Sequence, residues 1–265
     1  MKSMSLQSEQ PILFQGPWVT LKVGTPKSPY FTRECFENLK LVIELTKAEK
    51  KFKAIVLEGE GRYFSAGASR QALLKSRPNT SILHYAGEVP QLLMAAPVPT
   101  IAVMKGHAVG GGFILGLLCD IPLMAEESLY GVNFMALGFS PGMGSTFILE
   151  EAIGAPFARR LLLTGALVKG REFKKAGGPL SATVCARADL DSQVTQILAA
   201  LEDIPRDVLE TYKHALRKKR EQLLRKALDD ERVMQYQIFS KPQTIPHIER
   251  HYPVSKKDDF KKDRT

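Results

Sequence analysis

The chain has 265 residues, 44% apolar and 25% charged, with a net charge of +9. That is enough for a full hydrophobic core and lies outside the range of disordered, collagenous and fibrous chains. Cys35, Cys119 and Cys185 stand far apart with no CxxC pair, which argues against a disulfide framework or a cysteine-built zinc site and predicts a reduced, cytoplasmic protein.

In chain order, MKSMSLQSEQ lacks the apolar segment of a secretory signal, and no run reaches the roughly 18 uninterrupted apolar residues of a membrane span, so neither secretion nor membrane insertion is expected. Trp18, Thr20, Leu21 and Val23, bounded by Gly16 and Gly24, predict an early strand. Phe36, Leu39, Val42, Ile43 and Leu45 recur at helical spacing, and Ala54 to Leu57 is a compact strand closed by Gly59 and Gly61. The alternation repeats in a strand over 98–104, a helical run over 113–119 and a strand over 121–125, which places the chain in the α/β class. A mobile lid is expected after Pro78, around His84 and Tyr85.

Beyond Pro141 the pattern is mostly helical, and after Pro205 the residues Leu209, Tyr212, Leu216, Leu223 and Ala227 predict a long amphipathic helix lying on a core or a neighbouring subunit. From Arg206 onward there are 16 Lys and Arg against 10 Asp and Glu, so this region holds six of the nine net charges. Such a face suits an acidic protein, a phosphorylated carrier or nucleic acid equally well. The expected organisation is a core over 1–200, a helical region over 201–254 and a disordered charged tail over 255–265.

Two glycine-containing turns follow strands and precede helices: Phe64-Ser-Ala-Gly-Ala-Ser69 and Gly106-His-Ala-Val-Gly-Gly-Gly112. Each can aim backbone N–H groups at a common cleft, although either alone is as readily a tight connection as an anion site.

These turns belong to a longer pattern. Ile55 to Ala68, Pro99 to Gly112, Cys119-Asp120, Leu137-Gly-Phe-Ser-Pro-Gly-Met-Gly144 and Leu162-Leu-Thr-Gly165 follow one another in an order and spacing that resemble the crotonase (enoyl-CoA hydratase/isomerase) superfamily. The resemblance implies a spiral of ββα units with a C-terminal helical trimerisation region, assembled as a homotrimer or a dimer of trimers. It also implies an acyl thioester whose carbonyl lies between two N–H groups, which motif position assigns to Ala66 and Gly111, with Ser65, Gly110 and Gly142 among the substrate-binding residues. No metal or redox cofactor is implied; phosphopantetheine or coenzyme A enters as part of the substrate.

The chain departs from the hydratases at their two acid/base glutamates, where Ile114 and Phe134 stand and can exchange no proton. An apolar pocket instead favours losing a substrate carboxylate as carbon dioxide, because the charge then disperses into an enolate. The stretch Val132 to Ile148 is similar to the decarboxylating enoyl-hydratase-like enzymes of polyketide β-branching. That similarity implies a 3-methylglutaconyl-type thioester on an acyl carrier protein, and a lysine and a histidine near the site. Lys75 is the candidate lysine. For the histidine, the matching stretch offers Gln235 or Ser240, with His247 just beyond; His107 beside the glycines reads as a packed residue. Two alternatives remain: a double-bond isomerase of the same fold, which needs a base, and an RNA-binding homologue using Lys213 to Arg220. That segment has no interleaved aromatics, so its RNA contacts would be electrostatic and salt-sensitive.

Overall fold

The computed structural model describes residues 10–77 and 81–252, with side chains given outside 81–83. The tail expected to be disordered lies outside the described residues, as do Pro78 to Thr80.

A hairpin of β1 (Ile12–Gln15) and β2 (Trp18–Gly24) leads to α1 (Arg33–Ala48), which Thr32 caps by accepting from the Cys35 amide at 3.2 Å. The chain then steps repeatedly between two sheets. β3 (Ala54–Gly59) is followed by β4 (Tyr63–Ser65), β5 (Thr100–Met104) by β6 (His107–Val109), and β7 (Ile121–Ala125) by β8 (Leu129–Gly131). The first strand of each pair joins a six-stranded sheet of order β1-β2-β3-β5-β7-β10, and the second joins a four-stranded sheet of order β4-β6-β8-β9. Here β9 is Leu167–Lys169 and β10 is Val184–Cys185. All pairings are parallel except β1 with β2 and β8 with β9. Parallel strands buried on both faces read as unbroken apolar runs, which is why β3, β5 and β7 are plain in the sequence.

Helices fill the turns of this spiral: α2 (Arg70–Leu74) and α3 (Ser81–Met94) after β4, and α4 (Gly111–Leu117) after β6. Then follow α5 (Ser145–Ile153), α6 (Ala155–Thr164), α7 (Gly170–Ala176) and α8 (Leu190–Glu202). The main core lies between the sheets and beneath α1, α3 and α4. A second cluster, with Leu190 and Leu198 of α8 against Val56, Ile101 and Leu123, covers the other face of the larger sheet. The segment expected to be a lid is helical over α3, and the Tyr85 ring packs on Phe36 with centroids 4.6 Å apart.

The long helix after Pro205 is α9 (Arg206–Phe239), followed by α10 (Thr244–His251). Its buried face differs from the expected one. Tyr212 and Leu223 are 63% and 54% exposed, whereas Leu209, Lys213, Leu224, Ala227, Glu231, Gln235 and Phe239 are buried. Three of these are polar, and each has partners that repay its loss of water. Lys213 Nζ lies 2.8 and 2.6 Å from the Asp120 carboxylate oxygens, and Asp120 also accepts from the Thr100 amide at 2.7 Å. Glu231 accepts from the amides of Gly144 and Thr146 at 2.7 and 2.8 Å, so it caps the start of α5 from a distance. Burial nevertheless pushes its carboxyl above the usual carboxylate range. The basic segment weighed for RNA is largely occupied: Lys213 pairs with Asp120, Arg217 with Glu221 and Arg220 with Glu151. Among the described residues no helix is long and apolar enough to cross a membrane.

Candidate active site

A cavity of about 770 Å³ opens between the two glycine turns, α3, the loop after β8 and the ends of α9 and α10. Both turns follow one construction. Gly67 has φ +69° and precedes Ala68; Gly110 has φ +58° and precedes Gly111. A side chain at Gly67 would be strained at that φ and would place its Cβ 2.9 Å from the Val109 carbonyl and 3.0 Å from the Gly111 nitrogen. Gly112 lets α4 start against β4, since a Cβ there would stand 2.2 Å from the Ser65 carbonyl oxygen. The two turns are thus in backbone contact.

The expected donor Ala66 is corrected by this geometry. Its N–H donates to the Pro29 carbonyl at 2.7 Å, and the Gly67 N–H turns onto Ser65 Oγ at 3.3 Å. Among the described residues the Ala68 N–H has no protein acceptor, and neither has that of Gly111, the first amide of α4. Ala68 and Gly111 both line the cavity. Each donor amide is polarised from behind. The Gly67 carbonyl accepts from the Phe31 N–H at 2.9 Å, and the Gly110 carbonyl accepts from Phe113 and Ile114 at 3.1 and 3.3 Å. Two unshielded N–H groups lining one cavity are of the kind that can donate to an oxyanion.

Beside the second turn, where a Cβ at Gly110 would stand 3.4 Å from the Phe134 ring, the lining is aromatic. Phe134 and Phe139 have ring centroids 5.7 Å apart, and Phe139 and Phe239 5.8 Å. Val89, Leu73 and Leu137 add buried aliphatic side chains to the lining. Met143, in the left-handed region at φ 64°, lies close enough to Gly111 that a Cβ there would meet its sulfur at 2.8 Å. The polar lining consists of Ser28, Tyr30, Thr32, Ser69, Gln71, Tyr85, Asn133, Gln235 and Tyr252 with Arg33 and Arg70. Among the described lining residues there is no carboxylate, imidazole or lysine.

The sequence candidates are accordingly divided. Gly110, Gly111, Phe134 and Gly142 line the cavity, the last with Gln235 close beside it, whose Nε2 donates to the Pro141 carbonyl at 3.1 Å. Ser65 and Ile114 are fully buried behind the wall, Ser65 holding the turn and Ile114 filling the core. Lys75 is exposed at the end of α2 and does not line the cavity; a five-residue helix carries it past the mouth. His247 also lies outside, packed against Gly138 and stacked on His251 at 4.0 Å. His107 is a packed residue, its Nδ1 accepting from the Leu129 amide at 3.0 Å. The sequence reading missed Ala68, Tyr30 and Tyr252. For Ala68 a signal existed, because the residue after the glycine in the first turn matches the one after Gly110 in the second.

The enoyl-CoA hydratase/isomerase family model matches residues 19–255. The chain is 32% identical over 224 residues to the bacillaene synthase decarboxylase PksI of Bacillus subtilis, covering 84% of this chain and 88% of that protein. It is similar to a solved structure from a dehydratase/decarboxylase enzyme couple involved in polyketide β-branching, with TM-score 0.83 and 27% identity over 92% of this chain and all of the other. The ECH2 decarboxylase domain of CurF from Lyngbya majuscula superposes with TM-score 0.78 at 26% identity, over 91% of this chain and 98% of that domain.

Proposed function

The chain belongs to the enoyl-CoA hydratase/isomerase family, and from there we propose that it decarboxylates a carboxylated enoyl thioester of the 3-methylglutaconyl type, carried on phosphopantetheine, in polyketide β-branching. The observation that carries this reading is the pairing of two free N–H groups, Ala68 and Gly111, with a wall that offers no carboxylate, imidazole or lysine among the described residues.

The thioester carbonyl oxygen sits between the two amides. The substrate carboxylate lies against Phe134, Phe139 and Leu137, where it loses water that nothing apolar replaces. When its bond to the acyl chain breaks, carbon dioxide leaves and the electron pair stays on the chain, delocalising through the double bond to the thioester oxygen. The amides meet a charge that appears only as the reaction proceeds, so they lower the barrier more than they tighten binding. No general base is required. Protonation of the dienolate carbon falls to water or to a lining hydroxyl such as Tyr85, since Lys75 and His247 stand outside. An isomerase would have to remove a carbon-bound proton, and the lining supplies no group suited to that.

Arg33 at the cavity and the lack of carboxylates among the described lining residues favour an anionic substrate, and the likeness to the polyketide decarboxylases favours an acyl carrier protein as its bearer. The exposed Tyr212, Leu223 and Tyr236 of α9 support self-association as a trimer.

Mass spectrometry of 3-methylglutaconyl carrier protein incubated with the enzyme tests the reading. Loss of the mass of carbon dioxide is the expected outcome. An unchanged mass, with double-bond migration in an uncarboxylated enoyl thioester, would replace it with isomerisation.

A further inference from the structure

Of the two donors, Gly111 is fixed by the helix it begins, while Ala68 lies in a turn followed only by the five-residue α2. The far end of the described chain comes back to that turn. The Tyr252 hydroxyl donates to the Ala68 carbonyl at 2.7 Å, and Tyr252 itself lines the cavity. Just before it, Arg70 Nη2 reaches both the carbonyl and the carboxylate of Glu249, at 3.3 and 3.2 Å. Ile248 is fully buried with Leu73, Leu137 and Phe239, so α10 is seated on α2 by an apolar contact of its own.

We infer that Tyr252 is a positioning residue for the first oxyanion donor: by holding the Ala68 carbonyl it fixes the ψ angle of Ala68 and clamps the peptide that follows the donor amide, which limits how far Ala68 and its N–H can swing away from the thioester oxygen. Four points support this. The donor peptide itself is held by the Phe31 N–H at the Gly67 carbonyl, so the Tyr252 bond adds the restraint on the other side of Ala68. The bond is short and half-buried, where water competes poorly for it. Tyr30 adjoins the same hydroxyl, and burial together with that neighbour pushes the Tyr252 ionisation upward, keeping it a donor across the working pH range. The hydroxyl's proton points to a backbone carbonyl, which makes Tyr252 a support for the donor and leaves substrate protonation to other groups.

The inference rests on the oxyanion reading given above, and the experiment separates the two. Crotonyl pantetheine, isotope-labelled at its thioester carbonyl, is bound to the full chain and its carbonyl stretch is read by difference infrared spectroscopy; decarboxylation is measured in parallel. Wild type is expected to lower the stretch relative to water. Tyr252→Phe keeps the ring and its packing, so its melting temperature should stay close to that of wild type. It should lose part of the lowering and reduce kcat by about tenfold with little change in KM, the scale of one lost hydrogen bond acting in the transition state. Arg250→Ala, exposed on the same helix, should match wild type in both. A Tyr252→Phe enzyme with the full lowering and full kcat overturns the inference and leaves the oxyanion reading standing. No lowering in wild type overturns both.

Discussion

Gly111 and Ala68 present equivalent N–H groups, each after a glycine of positive φ and each ahead of a helix, yet the molecule holds them differently. Behind Gly111 stand α4 and the fully buried Phe113 and Ile114. Its carbonyl partners lie within four residues, and β6 and β8 fix the approach through the Gly110 N–H bond to the Gly131 carbonyl at 2.9 Å. Behind Ala68 stand Pro29, Phe31 and Tyr252, drawn from a loop before α1 and from the end of α10. One donor is a by-product of the core; the other is assembled from distant segments at the surface. A two-donor site can therefore keep one half rigid while the other depends on a loop and a helix end distant along the chain.

The most disruptive way to break this contrast is to attack what anchors both halves to the long helix. Asp120, just past α4, holds the buried Lys213 of α9, and α9 leads to α10. Asp120→Ala leaves a buried ammonium unpaired and should cost about 3–5 kcal/mol, read as a lowered urea midpoint. Next in size, Gly67→Ala places a strained side chain between the turns. Decarboxylation in single turnover should fall on the order of 10²–10³, the loss typical of one oxyanion donor, while most of the stability is kept. The smallest effect sharpens the comparison. Burial pushes both Cys35, under the loop that supports Ala68, and Cys119, at the end of α4, up to about 12. At pH 8 both thiols stay protonated, so alkylation has to await local opening and compares opening alone. In urea below the midpoint Cys35 should be modified before Cys119; equal rates would mean that the two halves open together.

The same division governed what could be read from the chain beforehand. β3, β5 and β7 announce themselves because strands buried on both faces are apolar throughout, whereas β4, β6, β8 and β9 are three-residue strands with no room for a period. The buried face of α9 was misjudged because Lys213, Glu231 and Gln235 occupy it, and their partners Asp120, Gly144 and Pro141 lie some 90 residues away along the chain. Gly111 was legible from the glycines and the helix they start. Motif position assigns Ala66, and nothing local says that Pro29 takes the Ala66 N–H. Lys75 and His247 show the same gap between order along a chain and direction in space: one is carried past the cavity, and the other turns its ring to Gly138.

The Tyr252 bond also sets a timetable. A nascent chain that has emerged through α4 and β8 already contains what holds Gly111, but the Tyr252 support for Ala68 is made 184 positions after Ala68 itself. Domains fold from the N-terminal side during synthesis, so the spiral can condense while its cavity is still half furnished. On the ribosome, the Ala68 carbonyl would gain its Tyr252 partner only after every strand of both sheets has been made.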